Sequence, residues 1–393
     1  MASKAKKGSS ASSNAATDKN SETFRMRRLS MGPSTNNKGG EESADQGKKG
    51  GSRQKRLSLS PEMGDQPNLP FHINFVGTNS CHGVEPGDRM GETNAKINQD
   101  RGVVVYPFAQ FDGCKTVYAF FGVFDGHGHV GDKVSHFVAN QIPLMLEDTV
   151  RDIECKQKTK NERDAMIETA LKKTFESTDE NLKKDQSIDA ELSGTTAVVC
   201  LCRYEKGAAN SNKTMTVYVA NAGDSRAVLA RDCDGRVVSK DLSNDQKPDT
   251  KKEFQRIRKA GGYVTPAEEE WGGPARVWLD SSQNLPGLAM ARSIGDHLVK
   301  HIGVISTPEV LRYEISLTAG SSDKFMILAS DGVWEFIDSD QAICIVNENL
   351  DNGAQLAVVN LIKEAAARWR QEEGDYRDDI TAICIKFDEH LFE

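Results

Sequence analysis

The segment "FFGVFDGHGHVGDK" (120–133) places an acid and two imidazoles within five residues, at the end of an apolar run. Asp125 follows the run directly, and His127 and His129 come next, separated by glycines. Two interpretations are open. The segment could be a polar turn whose side chains face water, or it could supply ligands to a metal ion.

Acidic residues recur at the ends of other apolar runs. Asp224 and Asp331 each follow such a run. Asp100 and the pair Asp378 and Asp379 each precede one. Singly, each fits an ordinary turn, where Asp and Gly are favoured for backbone reasons. Together, acids beside strands of one core would meet at one rim. Clustered carboxylates repel unless cations lie among them, and hard oxygen ligands select Mg²⁺ or Mn²⁺.

His127 lies two positions beyond Asp125. Beside a bound dication its imidazole could transfer protons near neutral pH. A lone histidine is more often a surface or hydrogen-bonded residue, and we assign no function to His129.

The elements that must position these residues do not alternate regularly between strand and helix. Apolar, strand-like runs occur at 102–108, 116–124, 195–204, 214–222, 226–231, 324–330 and 380–387. Helical spacing of apolar residues occurs at 130–150, 162–184 and 353–371. Neighbouring strands followed by helices predict an α+β layered sandwich, which we assign to one domain over residues 67–393.

The charge of the chain is unevenly distributed. Residues 1–66 carry thirteen Lys and Arg and seven Asp and Glu, a net charge of +6. The whole chain has a formal charge of −8, so the remainder carries −14. An acidic body is a poor match for nucleic acid. No apolar stretch reaches the ~18–20 residues that span a bilayer.

Cysteine usage indicates the compartment. The eight cysteines are scattered and include no C-x-x-C pair, which argues against a zinc ribbon or a disulfide framework. The N-terminal residues lack the apolar segment of a secretory signal. We therefore expect a cytoplasmic or nuclear protein, or one present in both.

Residues 1–66 are rich in Ser, Gly and Lys, and we predict a disordered basic tail. "RRLS" ends at Ser30 and "KRLS" at Ser58, and both resemble sites of a basophilic kinase. Ser60 precedes Pro61, as in a proline-directed site. A merely basic, solvated tail is the alternative. Phosphorylation would change how the tail lies against the acidic body.

The phrases "NQD", "FFGVFDGHG", "SGTTAVV", "VANAGDSRAVL", "GLAMARSIGD", "ISTPEV", "ASDGVWE" and "RDDIT" form an ordered series. This series resembles the motifs of the type 2C metal-dependent protein serine/threonine phosphatases, from about residue 72 to the end. The run "ARVWLDSSQNLPGLAMARSIGD" is most like plant and protist members. The resemblance implies two packed, mainly antiparallel β-sheets flanked by helices, and makes 67–393 the catalytic domain.

The resemblance also implies a two-metal centre for Mg²⁺ or Mn²⁺. Asp125 would bridge the two ions, and the carbonyl of Gly126 would bind the second. Asp331 and Asp378 would complete the first site. A hydroxide held between the ions would attack phosphoserine or phosphothreonine, with no covalent phosphoenzyme.

Further roles follow from the same resemblance. Asp100 would orient the attacking water, and His127 would be the general acid for the leaving oxygen. Asp224, with Asp331 and Glu335, would match a third, weaker metal position.

Several positions depart from the commonest animal pattern. Gln99 stands where an acidic residue often contacts the second metal through water. Ala95 stands where an arginine often grips the substrate phosphate, and Lys96 beside it could supply a point charge but no bidentate fork. Glu335 replaces a frequent Asp.

Two other motifs are interpreted as structural. Gly194 in "SGTT" allows a close backbone approach, and Arg292 and Asp296 in "ARSIGD" are predicted to form an internal ion pair. By analogy, residues 242–276 include a flap beside the cleft, where the substrate is chosen.

We therefore predict a monomeric, metal-dependent phosphatase that acts on phosphorylated proteins, with a basophilic kinase acting on its tail. A pseudophosphatase that keeps the fold as a binding module is the alternative from a different class. A metal-dependent hydrolase of other phosphoesters fits the carboxylates equally well, and only the full motif series tells against it.

Overall fold

The computed structural model describes residues 28–31, 69–89, 91–110, 116–156, 158–205, 214–267, 273–317, 320 and 322–392. Most of the predicted domain lies in these ranges. Of the predicted tail they include only the four residues 28–31, among them Ser30. Ser58 and Ser60 lie outside the described residues.

The strands follow the apolar runs of the sequence. In chain order they are β1 (Arg28–Met31), β2 (Val76–Cys81), β3 (Val84–Pro86), β4 (Thr93–Ala95), β5 (Arg101–Phe108), β6 (Thr116–Phe124), β7 (Gly126–His127), β8 (Gly194–Thr195), β9 (Ala197–Glu205), β10 (Thr214–Ala222), β11 (Arg226–Cys233), β12 (Arg236–Asp241), β13 (Tyr263–Thr265), β14 (Arg276–Trp278), β15 (Pro286–Leu288), β16 (Ile294–Gly295), β17 (Glu309–Ser316), β18 (Asp323–Ala329) and β19 (Ile380–Lys386).

Two large sheets pack face to face. The first has the order β1-β5-β6-β9-β10-β17 and the second has the order β12-β11-β18-β19-β2. Neighbouring strands run antiparallel in both sheets. Apolar side chains of both sheets, among them Phe121, Val198 and Leu328, form one buried cluster. β6 is buried along its whole length, because both faces of its sheet are covered.

The α-helices are α1 (Gly131–Cys155), α2 (Lys160–Lys184), α3 (Lys251–Lys259), α4 (Asp331–Trp334), α5 (Ser339–Asn349) and α6 (Ala354–Glu372). All of them except α3 cover the two outer faces of this sandwich. Ile142 of α1 and Leu171 of α2 share a buried cluster with the first sheet. Ile343 of α5 and Leu361 of α6 share one with the second. The predicted α+β sandwich, with two antiparallel sheets flanked by helices, is confirmed.

Two smaller units lie beside the large sheets. β7, β8 and β16 form a small antiparallel sheet, with Gly194 opposite both His127 and Gly295. α3 and the strands β13–β15 enclose a separate apolar cluster that includes Ile257 and Val277. The second unit overlaps the predicted flap over 242–276.

No helix in the described ranges combines the length and the apolar character needed to cross a membrane.

The described part of the tail adds an edge strand to the first sheet. β1 pairs antiparallel with β5, with Ser30 opposite Val103 and Met31 opposite Gly102. The segment that carries the first kinase motif therefore runs beside the strand that directly follows Asp100.

The close packing of β2 on α6 requires a glycine. A Cβ at Gly77 would overlap the carbonyl oxygen of Ala354 and lie 2.6 Å from Cα of Gln355. We expect Gly77→Ala to lower the free energy of unfolding by about 1–3 kcal/mol, because two backbones would have to separate. Urea titration measures this change. Gly273→Ala is the control, since no described atom lies within 4 Å of its added Cβ. Equal effects of the two substitutions would contradict the packing argument.

Candidate active site

Four of the predicted acids lie together where strands of the two large sheets end. Asp125 follows β6, and Asp331 follows Ser330 at the end of β18. Asp378 and Asp100 precede β19 and β5. The pKa of Asp125 lies well above its ordinary value, first because of burial and then because of the negative charges of these three neighbours. Packing of the sheets therefore brings the four carboxylates into one cluster.

The carboxyls of Asp331 and Asp100 also have raised pKa values. Burial, together with the charges of Asp224 and Asp378, raises the pKa of Asp331 to about 7. Burial and the charge of Asp379 raise the pKa of Asp100, against a hydrogen bond from Ser330. Asp224 is therefore near enough to Asp331 to belong to the same electrostatic group.

Two lysines supply positive charge to this group. Lys96 Nζ donates to Asp378 Oδ1 at 2.8 Å, and Lys247 Nζ donates to Asp224 Oδ2 at 2.7 Å. Burial lowers the pKa of each ammonium, but the partner carboxylate raises it more. Lys96, predicted to bind substrate phosphate, thus contacts a predicted metal ligand. Lys247, in "NDQKP", was not among the predicted site residues.

The donor set fits a hard cation, although the side chains are not arranged around one. Carboxylate and carbonyl oxygens are the ligands that Mg²⁺ and Mn²⁺ prefer. Oδ1 of Asp100 and Oδ1 of Asp224 are buried without a hydrogen-bond partner among the described residues. No group of three or more His, Cys, Asp or Glu in the described ranges is placed to hold a metal ion. Lys96 and Lys247 instead bind two of the acids, so the predicted metal ligation stays a prediction.

Hydrogen bonds fix the backbone around Asp100. Ser330 Oγ donates to Asp100 Oδ2 at 2.7 Å, and the amide of Thr381 donates to Ser330 Oγ at 3.0 Å. The carboxylate of Asp379 accepts from the amides of Gly83 and Gln99. Asp379, the second acid of "RDDIT", therefore holds the segment that leads into Asp100.

The loop after Asp125 needs its glycine and its neighbouring amide. A Cβ at Gly126 would overlap the carbonyl of Gly131 and lie 2.6 Å from the carbonyl of Gln99. Gln99 Nε2 donates to the carbonyl oxygen of Gly128 at 2.8 Å. Gln99, which stands where an acidic residue is common in the family, therefore binds the loop that follows Asp125. Ala95, where an arginine is common, is exposed at the end of β4.

His127 contacts Asp296, the acid that we predicted to pair with Arg292. Its Nε2 lies 2.8 Å from Asp296 Oδ2, and His129 is exposed. The predicted ion pair between Arg292 and Asp296 is wrong. Arg292 Nη2 donates to Glu253 Oε1 of α3 at 2.7 Å. Asp296 has a φ of 50° and the preceding glycine a φ of 90°, so the chain turns sharply between the two predicted partners.

Glu335 stands apart from the cluster. It follows Asp331 by one helical turn, and its amide donates to the carbonyl of Asp331 at 2.8 Å. Its side chain is exposed and forms no hydrogen bond or ion pair with a described residue. Its place in a third metal site therefore stays a prediction.

The family is decided by comparison with known sequences. The family model described as Protein phosphatase 2C matches residues 89–374. This chain belongs to the protein phosphatase 2C family. The cluster of Asp100, Asp125, Asp331 and Asp378 is thus the candidate active site of a type 2C protein phosphatase.

Named plant proteins and a solved structure agree with this assignment. The chain is 35% identical to "Probable protein phosphatase 2C 34" of Arabidopsis thaliana, over 80% of this chain and 83% of that protein. It is 36% identical to "Probable protein phosphatase 2C 61" of Arabidopsis thaliana, over 74% and 80%. Serine-threonine phosphatase 2C of Toxoplasma gondii superposes with a TM-score of 0.61 at 22% identity, covering 79% of this chain and 95% of that one. The predicted likeness to plant and protist members is confirmed.

Repulsion within the cluster predicts a pH-dependent stability in EDTA. The pKa of Asp331 is about 7 in the folded chain, against an ordinary 3.8. Between these values the folded state binds more protons than the unfolded state, so raising the pH lowers the free energy of unfolding. We expect Asp331→Asn to remove part of this decline. Urea titrations from pH 5 to 7.5 measure it, with the exposed Asp351→Asn as control. Equal slopes in wild type and Asp331→Asn would contradict the assigned repulsion.

Proposed function

We propose that this type 2C phosphatase is a Mg²⁺- or Mn²⁺-dependent hydrolase of phosphoserine and phosphothreonine in proteins. The observation that carries the proposal is the convergence of Asp100, Asp125, Asp331 and Asp378, whose charges act on one another. Such a group is costly to keep ionised unless cations lie among the carboxylates.

The proposed metal ligands are the residues that match the family motifs. Asp125, the carbonyl of Gly126, Asp331 and Asp378 would hold two cations, and Asp224 a weaker third. When bound, the cations would lower the pKa of the attacking water and neutralise charge on the phosphoryl oxygens. Ligation would require Lys96 to leave Asp378, because its ammonium now lies 2.8 Å from that carboxylate.

The remaining chemistry falls to three other side chains. Asp100 Oδ1 is buried and has no hydrogen-bond partner among the described residues, so it can accept a hydrogen bond from the attacking water. His127 would protonate the departing serine or threonine oxygen. Lys96, released from Asp378, would bind the substrate phosphate as a point charge.

A binding module without activity has no specific observation in its favour. Such a module would not need to keep Asp125, Asp331 and Asp378, and the sequence has all three.

The remaining expectations concern the cellular setting. We propose a monomer in the cytoplasm or nucleus. The location is supported by the free thiols of the seven described cysteines, which suit a reducing compartment.

The central test is dephosphorylation of a phosphothreonine peptide by purified protein with Mn²⁺, Mg²⁺ or EDTA. We expect turnover with a divalent cation and none in EDTA. Asp125→Ala should lower kcat by at least about 10³-fold, since one of the residues that would hold the cations is lost. Absence of turnover by the wild type in both metals would remove the proposed function and favour the binding module.

Phosphorylation of the tail is a further part of the proposal. Ser30 lies in the strand that pairs with β5, beside the segment leading from Asp100. Each phosphate adds about −1.5 to −2 charges, against a tail of +6 and a body of −14. A basophilic kinase acting at Ser30 and Ser58 would weaken the electrostatic attraction between the tail and the body. A proline-directed kinase acting at Ser60 would weaken it further.

Kinetics of three proteins test this regulation: the full chain, the full chain phosphorylated by a basophilic kinase, and a chain that begins at residue 67. We expect kcat/KM of the phosphorylated chain to differ from that of the full chain by at least about fivefold and to approach that of the shortened chain. Ser30→Ala with Ser58→Ala should not respond to the kinase. Equal kinetics of all three proteins would contradict the regulation.

A further inference from the structure

His127 is held in a small frame that is separate from the large sheets. β7 carries His127, β8 carries Gly194, and β16 ends immediately before Asp296. Gly194 is the register partner of both His127 and Gly295. Three segments far apart in the sequence therefore meet here and bring Asp296 to the imidazole.

Asp296 is buried, and one of its carboxylate oxygens has two partners. The residue is 4% exposed. Its Oδ2 accepts from Ser293 Oγ at 2.5 Å and lies 2.8 Å from His127 Nε2. Its amide donates to the carbonyl of Ser193 at 2.9 Å. Burial raises the pKa of Asp296, but His127 and Ser293 lower it further, below its ordinary value. An ionised carboxylate can only accept a hydrogen bond, so this 2.8 Å contact requires the proton on Nε2 of His127.

The other ring nitrogen of His127 has no hydrogen-bond partner in the described part of the chain. His127 Nδ1 is buried and forms no hydrogen bond with any described residue. The ring also lies within the electrostatic reach of Asp224 and Asp331, whose charges act on it. Nδ1 is thus the ring nitrogen left without a partner among the described residues.

The glycine of "SGTT" is required for this contact. A Cβ at Gly194 would overlap Asp296 Oδ2 and lie 2.8 Å from His127 Nε2. The close backbone approach predicted for this glycine therefore serves the pairing of His127 with Asp296.

We infer that Asp296 is a positioning residue that keeps the proton of neutral His127 on Nε2 and so makes Nδ1 the nitrogen that protonates the leaving group. This inference rests on the proposed function. As the P–O bond breaks, its electron pair stays on the serine or threonine oxygen, and the Nδ1 proton of the imidazolium moves there. The ring is left neutral with its proton on Nε2, and water restores the second proton. A buried Asp that fixes a catalytic imidazole in one tautomer has the same logic in serine proteases.

The kinetic test uses two leaving groups and Asp296→Asn, because Asn tolerates the left-handed backbone of this position. With the phosphothreonine peptide we expect kcat to fall about 10- to 100-fold, because an alkoxide needs the proton. With p-nitrophenyl phosphate we expect a loss below about twofold, because nitrophenolate leaves unaided. Ser293→Ala should show the same contrast more weakly. In the double variant, Asp296→Asn should lower kcat little beyond the effect of His127→Ala alone, because both substitutions remove the same proton transfer.

The control is Asp164→Asn, a buried acid that accepts from Tyr218 and Arg312 and lies outside the active site. It should leave the ratio of the two activities unchanged. Equal losses on both substrates in Asp296→Asn would make Asp296 merely structural and overturn the inference. Full additivity with His127→Ala would overturn it as well.

The tautomer itself can be observed without turnover. Long-range ¹H–¹⁵N spectra, with His127→Asn to assign the ring, should show Nε2 protonated in the wild type and a shift towards Nδ1 protonation in Asp296→Asn. An unchanged tautomer would overturn the inference. If the wild type hydrolyses neither substrate, the proposed function fails, and the spectra alone decide whether Asp296 sets the tautomer.

Discussion

Repulsion among clustered, partly buried carboxylates is the constraint on which the rest of the active-site end depends. Asp125, Asp331 and Asp378 come from strands of both sheets, and stacking the sheets forces the acids together. The unfavourable free energy of bringing these like charges together must be offset by neighbouring groups. Lys96 and Lys247 provide positive charge, and Ser330 donates to Asp100. An apolar sandwich thereby supports a highly charged rim.

The position of the His127 imidazole depends on a different constraint, the close packing of backbone segments. The small sheet of β7, β8 and β16 requires glycines, and Gly194 leaves room for one carboxylate against the ring of His127. Asp296 lies in a turn with positive φ, and Ser293 donates to the same carboxylate oxygen that contacts the ring. His127 and the carboxylate cluster are therefore positioned by separate elements.

The fold class and the principal acids were predictable because both depend on local patterns. Apolar runs identified the strands of the large sheets, and the acids at their ends identified Asp125, Asp331 and Asp378. The partners of these residues were not predictable. Lys247 lies in a loop with mixed charge, and Asp296 has Arg292 nearby in the sequence, which suggested the wrong ion pair. No local pattern states which of several acids a given base will contact.

The sequence by itself determined the residue types, their order along the chain and their positions beside strands, because periodicity and turn chemistry act over a few residues. Tertiary structure alone decided that Arg292 binds Glu253 and that Asp296 binds His127, since each pair joins separate elements. It also decided that Lys96 binds Asp378, across 282 positions of the chain. Contacts of this kind depend on how the sheets stack and where the chain turns, and only the folded chain specifies both.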